Sequence, residues 1–166
     1  MPATGRDGDV DAALMRRALR LARAARKRGE VPVGAVAVRD GAVIAAASNR
    51  MECSGDATAH AEMLVLRRAA AVVGGWRLGG VTMVMTLEPC PMCAGAMVQA
   101  RVDRCVYGAA DPKKGADGSV YDVLRHPANN HRISVRAGVL GDECGRLLSE
   151  FFRARRQASE ADHRER

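Results

Sequence analysis

Two short motifs constrain the fold more than anything else in the chain: His60-Ala-Glu62 and, thirty residues later, Pro89-Cys90-Pro-Met-Cys93. Each lies directly after a predicted strand or loop end and opens a predicted helix. Helices that alternate with strands in this way imply crossovers and some parallel pairing.

Taken singly, these residues carry little. A lone Cys-x-x-Cys reads equally as a redox pair, half of a structural zinc site or two core thiols. A lone histidine is more often a satisfied structural residue, and a lone Glu62 would be a surface helix residue. Together, one imidazole and two thiols make three ligands for Zn²⁺ with a fourth position open to water, the pattern of catalytic rather than structural zinc. In a helix, Cys90 and Cys93 fall one turn apart on the same face, and the positive end of the helix favours thiolates. Glu62, two residues past His60, is expected to point away from the ligands yet reach a water at the metal, where a proton shuttle is needed. His-x-Glu combined with Pro-Cys-x-x-Cys is the signature of zinc-dependent base deaminases. A redox motif would have no use for His60 and Glu62.

Hydrophobic periodicity fills in the rest. A first helix is expected over 10–28, with Leu14, Ala18, Leu21 and Ala25 buried, and with Arg16, Arg17, Arg20, Arg23, Lys27 and Arg28 on the other side. That arginine face reads first as solvated surface, with approach to RNA as the alternative. The Val- and Ala-rich runs 33–38 and 42–47 flank Asp40-Gly41 and form a hairpin. Helices follow over 59–73 (Met63, Leu66 and Ala70 on one stripe), 91–100 and 140–156. Strands are expected at 81–86, 104–107 and 133–137, and a Gly- and Lys-rich loop at 111–118. The order is α-β-β-α-β-α-β-β-α. It predicts an α/β fold, a three-layer α/β/α sandwich around a mixed five-stranded sheet. One domain is expected over 10–157, between a disordered tail at 1–9 and a charged, fraying tail at 158–166.

Composition sets the remaining bounds. The 166 residues suffice for one domain that needs no disulfide, and aromatics at 3% leave the core to Ala, Val, Leu and Met. Five cysteines, an odd number, argue against a secreted disulfide framework. The N-terminus has no apolar signal core, and no stretch approaches a membrane span, so a reduced, cytoplasmic setting is expected. Cys105 and Cys144 read as buried and inert, and Cys53 as accessible. The net charge of +7 favours a polyanionic partner, although a solvated basic surface would look the same.

Thr58-Ala-His-Ala-Glu-Met63 and Thr86-Leu-Glu-Pro-Cys-Pro-Met-Cys-Ala-Gly-Ala-Met97 resemble the two core motifs of the cytidine-deaminase superfamily, which cytosine, guanine and adenosine deaminases share. The flanking matches choose among them. Glu30-Val-Pro-Val-Gly-Ala-Val36, Asn49, Asp111-Pro-Lys-Lys-Gly115, Gly118-Ser119, Asn130-His-Arg132 and Phe151-Phe-Arg-Ala-Arg-Arg156 resemble the TadA family of bacterial tRNA adenosine deaminases. The resemblance spans about 10–157. It implies one zinc per subunit on His60, Cys90 and Cys93, with Glu62 as the catalytic proton shuttle. It implies Asn49 bonding the adenine ring and Ala61 beside the substrate. Asp111, Lys113, Asn130, His131, Arg132, Phe152 and Arg153 would form a wall around the splayed anticodon loop. The implied reaction is hydrolytic deamination of adenosine-34, at the wobble position of tRNA-Arg(ACG), to inosine with release of ammonia. The implied assembly is a homodimer, and no membrane is involved.

Two other functions compete on the residues alone. A deaminase of a free base or nucleoside, such as cytosine or guanine, would need no basic face. A zinc-stabilised RNA-binding module without catalysis would have no use for the carboxylate of Glu62 beside an open metal position.

Overall fold

The computed structural model describes residues 5–164. Its elements run α1 (Gly5–Lys27), β1 (Gly34–Arg39), β2 (Ala42–Ser48), α2 (Met51–Ser54), α3 (Ala61–Val73), β3 (Val81–Leu87), α4 (Pro91–Gln99), β4 (Arg104–Ala109), β5 (Ser134–Arg136) and α5 (Gly141–Arg164). One five-stranded sheet has the order β2-β1-β3-β4-β5. β1 is antiparallel to both β2 and β3, whereas β3, β4 and β5 run parallel. The parallel step from β3 to β4 requires a crossover, and α4 supplies it. Asp40 and Gly41 both take positive φ (50° and 75°), as a tight hairpin turn demands.

The period-2 alternation of the central strands divides the core into two layers. Ala35, Ala37, Met83, Met85, Cys105 and Tyr107 pack with Ala61, Val65 and Leu66 of α3 and with Ala94 and Met97 of α4. Val36, Val84 and Val106 point the other way, onto Met15, Ala18, Leu19 and Ala22 of α1 and Cys144 and Leu147 of α5. The molecule is therefore a three-layer α/β/α sandwich around a mixed sheet. Among the described residues no helix is long and apolar enough to cross a membrane.

The first helix differs from expectation in its start and in its buried face. Its core stripe is Met15, Ala18, Leu19, Ala22 and Ala25, with Leu14 and Leu21 only half-buried on the shoulder. Gly34 causes the rotation: a Cβ there would overlap the carbonyl oxygen of Ala18 and lie 2.8 Å from the nitrogen of Ala22. α1 thus sits on β1 through its smallest side chains. The helix also begins at Gly5, inside the segment 1–9 expected to be disordered, while residues 1–4 lie outside the described residues. Asp11 explains the extra turns. Its buried carboxylate accepts two hydrogen bonds from Arg104 (2.7 and 2.6 Å) and one from Arg136 (2.6 Å), which ties the start of α1 to the sheet edge. Burial pushes this carboxyl up, but the two guanidiniums outweigh it and hold it below the usual carboxylate range.

The last helix runs to Arg164, well past the expected end at 156. Residues 157–164 contain no Gly or Pro and are rich in helix formers. On the exposed arginine side of α1, Arg23 and Arg26 pair with Glu143 (2.5 Å) and Glu150 (3.0 Å) of α5, so part of that face is engaged between helices. Gly34→Ala should destabilise the protein by about 1–3 kcal/mol through overpacking, lowering Tm by about 2–12 °C. Thermal unfolding with no shift would show that α1 does not rest on β1.

Candidate active site

The antiparallel and parallel halves of the sheet meet between β1 and β3, and the helix starts that follow β2 and β3 carry the two motifs. His60 is the N-cap of α3 and Cys90 the N-cap of α4, both with extended backbone, and Pro91 occupies the first turn of α4. Cys90 is therefore not inside the helix, and the two sulfurs converge from the cap and from the first turn rather than from successive turns of one face. His60 Nδ1 lies 3.6 Å from Cys90 Sγ and 3.5 Å from Cys93 Sγ. The three ligand atoms all lie within 4.8 Å of one another.

Protons in the cluster are unevenly held. A hydrogen bond from Cys93, reinforced by one from His60, draws the Cys90 thiol down to about 4. Cys93, the donor, is pushed up, chiefly by that same bond and then by burial. The hydrogen bond to Cys90 raises His60 against the opposing effect of desolvation. One imidazole nitrogen and two sulfurs at a pair of positive helix ends are a donor set that suits zinc, with a fourth position left for solvent or substrate.

Glu62 departs from the expected geometry in a useful way. The buried stripe of α3 is Ala61, Glu62, Val65, Leu66 and Ala69; Leu66 is buried as expected, whereas Met63 and Ala70 are half-buried beside it. Glu62 is only 3% exposed. It faces the cluster rather than away from it, with His60 and the two cysteines as its electrostatic neighbours. Desolvation raises its carboxyl above the ordinary range, so it can hold a proton as well as take one.

Asn49 follows the end of β2 and is buried. The backbone of its neighbour Arg50 donates to the carbonyl of Ala59 (3.0 Å), which sets Asn49 beside the start of α3. Its side-chain nitrogen donates to Glu30 at 3.4 Å. Ala61 is fully buried next to His60. Lys113 and Phe152, far apart in sequence, meet at the surface: the ammonium lies 5.9 Å from the ring centroid. Arg132 and Arg153 are exposed. Asp111, Asn130 and His131 have internal partners. Asp111 accepts the amides of Lys113 (2.9 Å) and Lys114 (3.2 Å), Asn130 accepts Arg101 (3.0 Å), and His131 Nε2 donates to the Val102 carbonyl (2.6 Å). The 125–132 segment is thus anchored on the residues that follow α4.

Two buried glutamates escaped the sequence reading. Glu30 accepts the amides of Cys53 (2.7 Å) and Glu52 (3.2 Å), creating the short helix α2 that no periodicity foretold. Burial raises its carboxyl, and these backbone bonds more than offset the rise and leave it below the ordinary range. Glu88 is the second. The signal for both was their place inside the quoted motifs, Glu30-Val-Pro and Leu-Glu88-Pro-Cys. All five cysteines are free, with Cys53 exposed and Cys105 and Cys144 buried.

A mixed sheet between two helix layers, with a His/Cys/Cys cluster and a buried carboxyl at paired helix starts, defines the deaminase class of enzymes. The MafB19-like deaminase family matches residues 10–156. A tRNA-specific adenosine deaminase of Bacillus subtilis is 48% identical over 91% of this chain and 94% of its own length. A solved structure from studies of A-to-I editing by tRNA:A34 deaminases is 45% identical, with a TM-score of 0.79 over 82% of this chain and 99% of that one. A guanine deaminase from Nitrosomonas europaea is more distant, at 30% identity and a TM-score of 0.69, over 84% of this chain and 83% of that one. The chain belongs to the tRNA-specific adenosine deaminases, the TadA family of the deaminase superfamily, and it is an enzyme.

Proposed function

We propose that the protein is a zinc-dependent hydrolase that converts adenosine-34, at the wobble position of an arginine tRNA with anticodon ACG, to inosine and ammonia. The observation that carries this reading is the buried Glu62 carboxyl set against the His60–Cys90–Cys93 cluster. The likeness to tRNA:A34 deaminases supports the substrate.

His60, Cys90 and Cys93 would hold the zinc, which when bound supplies an activated water as nucleophile near neutral pH. Glu62 accepts a proton from the attacking water. It returns protons to the ring nitrogen and to the amino group leaving C6, so that water and adenosine balance inosine and ammonia. Asn49, held by Glu30, presents its amide to the purine edge. Lys113, Arg132, Arg153 and Phe152 meet the backbone and unstacked bases of the loop, where extruding one base costs least. The reading extends to a homodimer in the cytoplasm, and the five free thiols are in keeping with a reducing compartment.

The test is incubation with a synthetic anticodon stem-loop followed by sequencing, where inosine reads as guanosine. Ammonia release from free guanine or cytosine, with no change in the hairpin, would instead make it a free-base deaminase. Asn49→Ala should lower hairpin turnover by about 5- to 150-fold, the cost of leaving a buried polar partner unpaired (about 1–3 kcal/mol), with zinc content and Tm close to the parent. An unchanged rate would reduce Asn49 to a turn residue at the end of β2.

A further inference from the structure

Glu88 is 1% exposed and stands between β3 and Cys90. None of its side-chain bonds reaches the His60–Cys90–Cys93 cluster, and every one goes to a single loop. One carboxylate oxygen accepts the amides of Asp117 (2.9 Å) and Ser119 (3.3 Å). The other accepts the amide of Asp111 (2.9 Å) and the hydroxyl of Ser119 (2.5 Å). The backbone on either side joins in: Glu88 donates to the Ala109 carbonyl (2.8 Å), and Ala116 donates to the Pro89 carbonyl (2.9 Å). Gly115 closes over the carboxylate so tightly that a Cβ there would overlap it. The 111–119 loop contains no helix or strand; among the described residues it has the isolated bridge Asp117–Asp122 and turn bonds such as that from the Tyr121 amide to the Gly115 carbonyl (2.9 Å).

We infer that Glu88 is a positioning residue for RNA binding, fixing the 111–119 loop so that Lys113 stands over Phe152 at the surface before substrate arrives. The inference rests on the proposed tRNA reading. The ordering of the loop is thus completed during folding rather than on binding, and the RNA does not have to supply it. Glu88 joins the start of α4, which carries Cys90 and Cys93, to the surface that meets the substrate, yet it touches neither the reacting atoms nor the ligands.

The test is steady-state kinetics of Glu88→Gln in the full, zinc-loaded chain with the anticodon stem-loop. Glutamine keeps the shape but replaces one acceptor oxygen with an NH2 donor that faces the loop's own donors. KM for the hairpin should rise at least tenfold while kcat at saturation falls less than threefold and zinc stays at the parent's level. A fall in kcat without a rise in KM, or loss of zinc, overturns the inference and makes Glu88 a support of the metal-bearing helix. If Glu88→Gln does not fold, Ser119→Ala and Gly115→Ala strike the same hub from the loop side. A rise in KM of threefold or more in both supports the inference, and unchanged values overturn it. The parent protein separates this result from the tRNA reading. A parent inactive on the hairpin sinks that reading and the inference with it, whereas an active parent with an indifferent Glu88→Gln sinks the inference alone.

Discussion

Glu62→Gln should leave zinc bound and the hairpin affinity near that of the parent, while inosine formation falls by about 10²- to 10⁴-fold. The substitution keeps the volume of a side chain that is almost wholly buried in the stripe of α3, so the core beneath it is not opened. What it removes is the capacity to carry a proton. In the proposed reaction one proton of water goes to the ring nitrogen and the other to the departing amine, and Glu62 is the carboxyl whose electrostatic neighbours are His60, Cys90 and Cys93. The nearest buried acid along the chain, Glu88, has its oxygens committed to loop amides. RNA affinity should survive because its contacts lie at the surface. Zinc content, hairpin affinity and inosine formation on this one variant decide the matter. Zinc lost together with activity would make Glu62 a ligand or a ligand support. Activity within tenfold of the parent would mean that another group moves the proton.

The features that were readable in the sequence are those in which local pattern and global demand agree. The Val- and Ala-rich runs marked the first two strands, and the turn chemistry of Asp40-Gly41 marked the hairpin between them. The His60–Cys90–Cys93 cluster was readable because zinc needs those donor types and the superfamily motif repeats them at that spacing. The errors arose where a distant contact decided the outcome. Ala18 and Ala25 are buried as expected, but Leu14 and Leu21 are more apolar than Ala22, so composition favours them for the core. The bare backbone of Gly34 admits the alanines closer and turns α1 accordingly. A glutamate read in isolation belongs on a surface. Glu30 and Glu88 are buried because backbone amides 22 to 31 residues further along the chain converge on them, and nothing local announces that. The same blindness covers His131, whose imidazole looked like part of an RNA wall and also fastens that wall to the Val102 carbonyl.

Hairpin affinity should fall about 100-fold for a tenfold rise in monovalent salt. Lys113, Arg132 and Arg153 are exposed cations placed by the proposed reading at the loop. Each phosphate they neutralise on a single strand contributes a slope of about −0.7 in log affinity against log salt, so three contacts give about −2. The arginines of α1 add little in this account. Arg23 and Arg26 are paired with glutamates of α5, which leaves them less free to meet phosphates. Charge reversal can separate the two faces. Arg153→Glu should lower affinity and flatten the slope by about one contact, while Arg16→Glu should leave the slope unchanged. A parent slope near zero would remove the phosphate contacts and with them the case for an RNA substrate, leaving a free-base deaminase as the better reading. An equal response to Arg16→Glu would instead mean that the nucleic acid wraps past the sheet and onto α1, the role left open for that arginine face by composition alone.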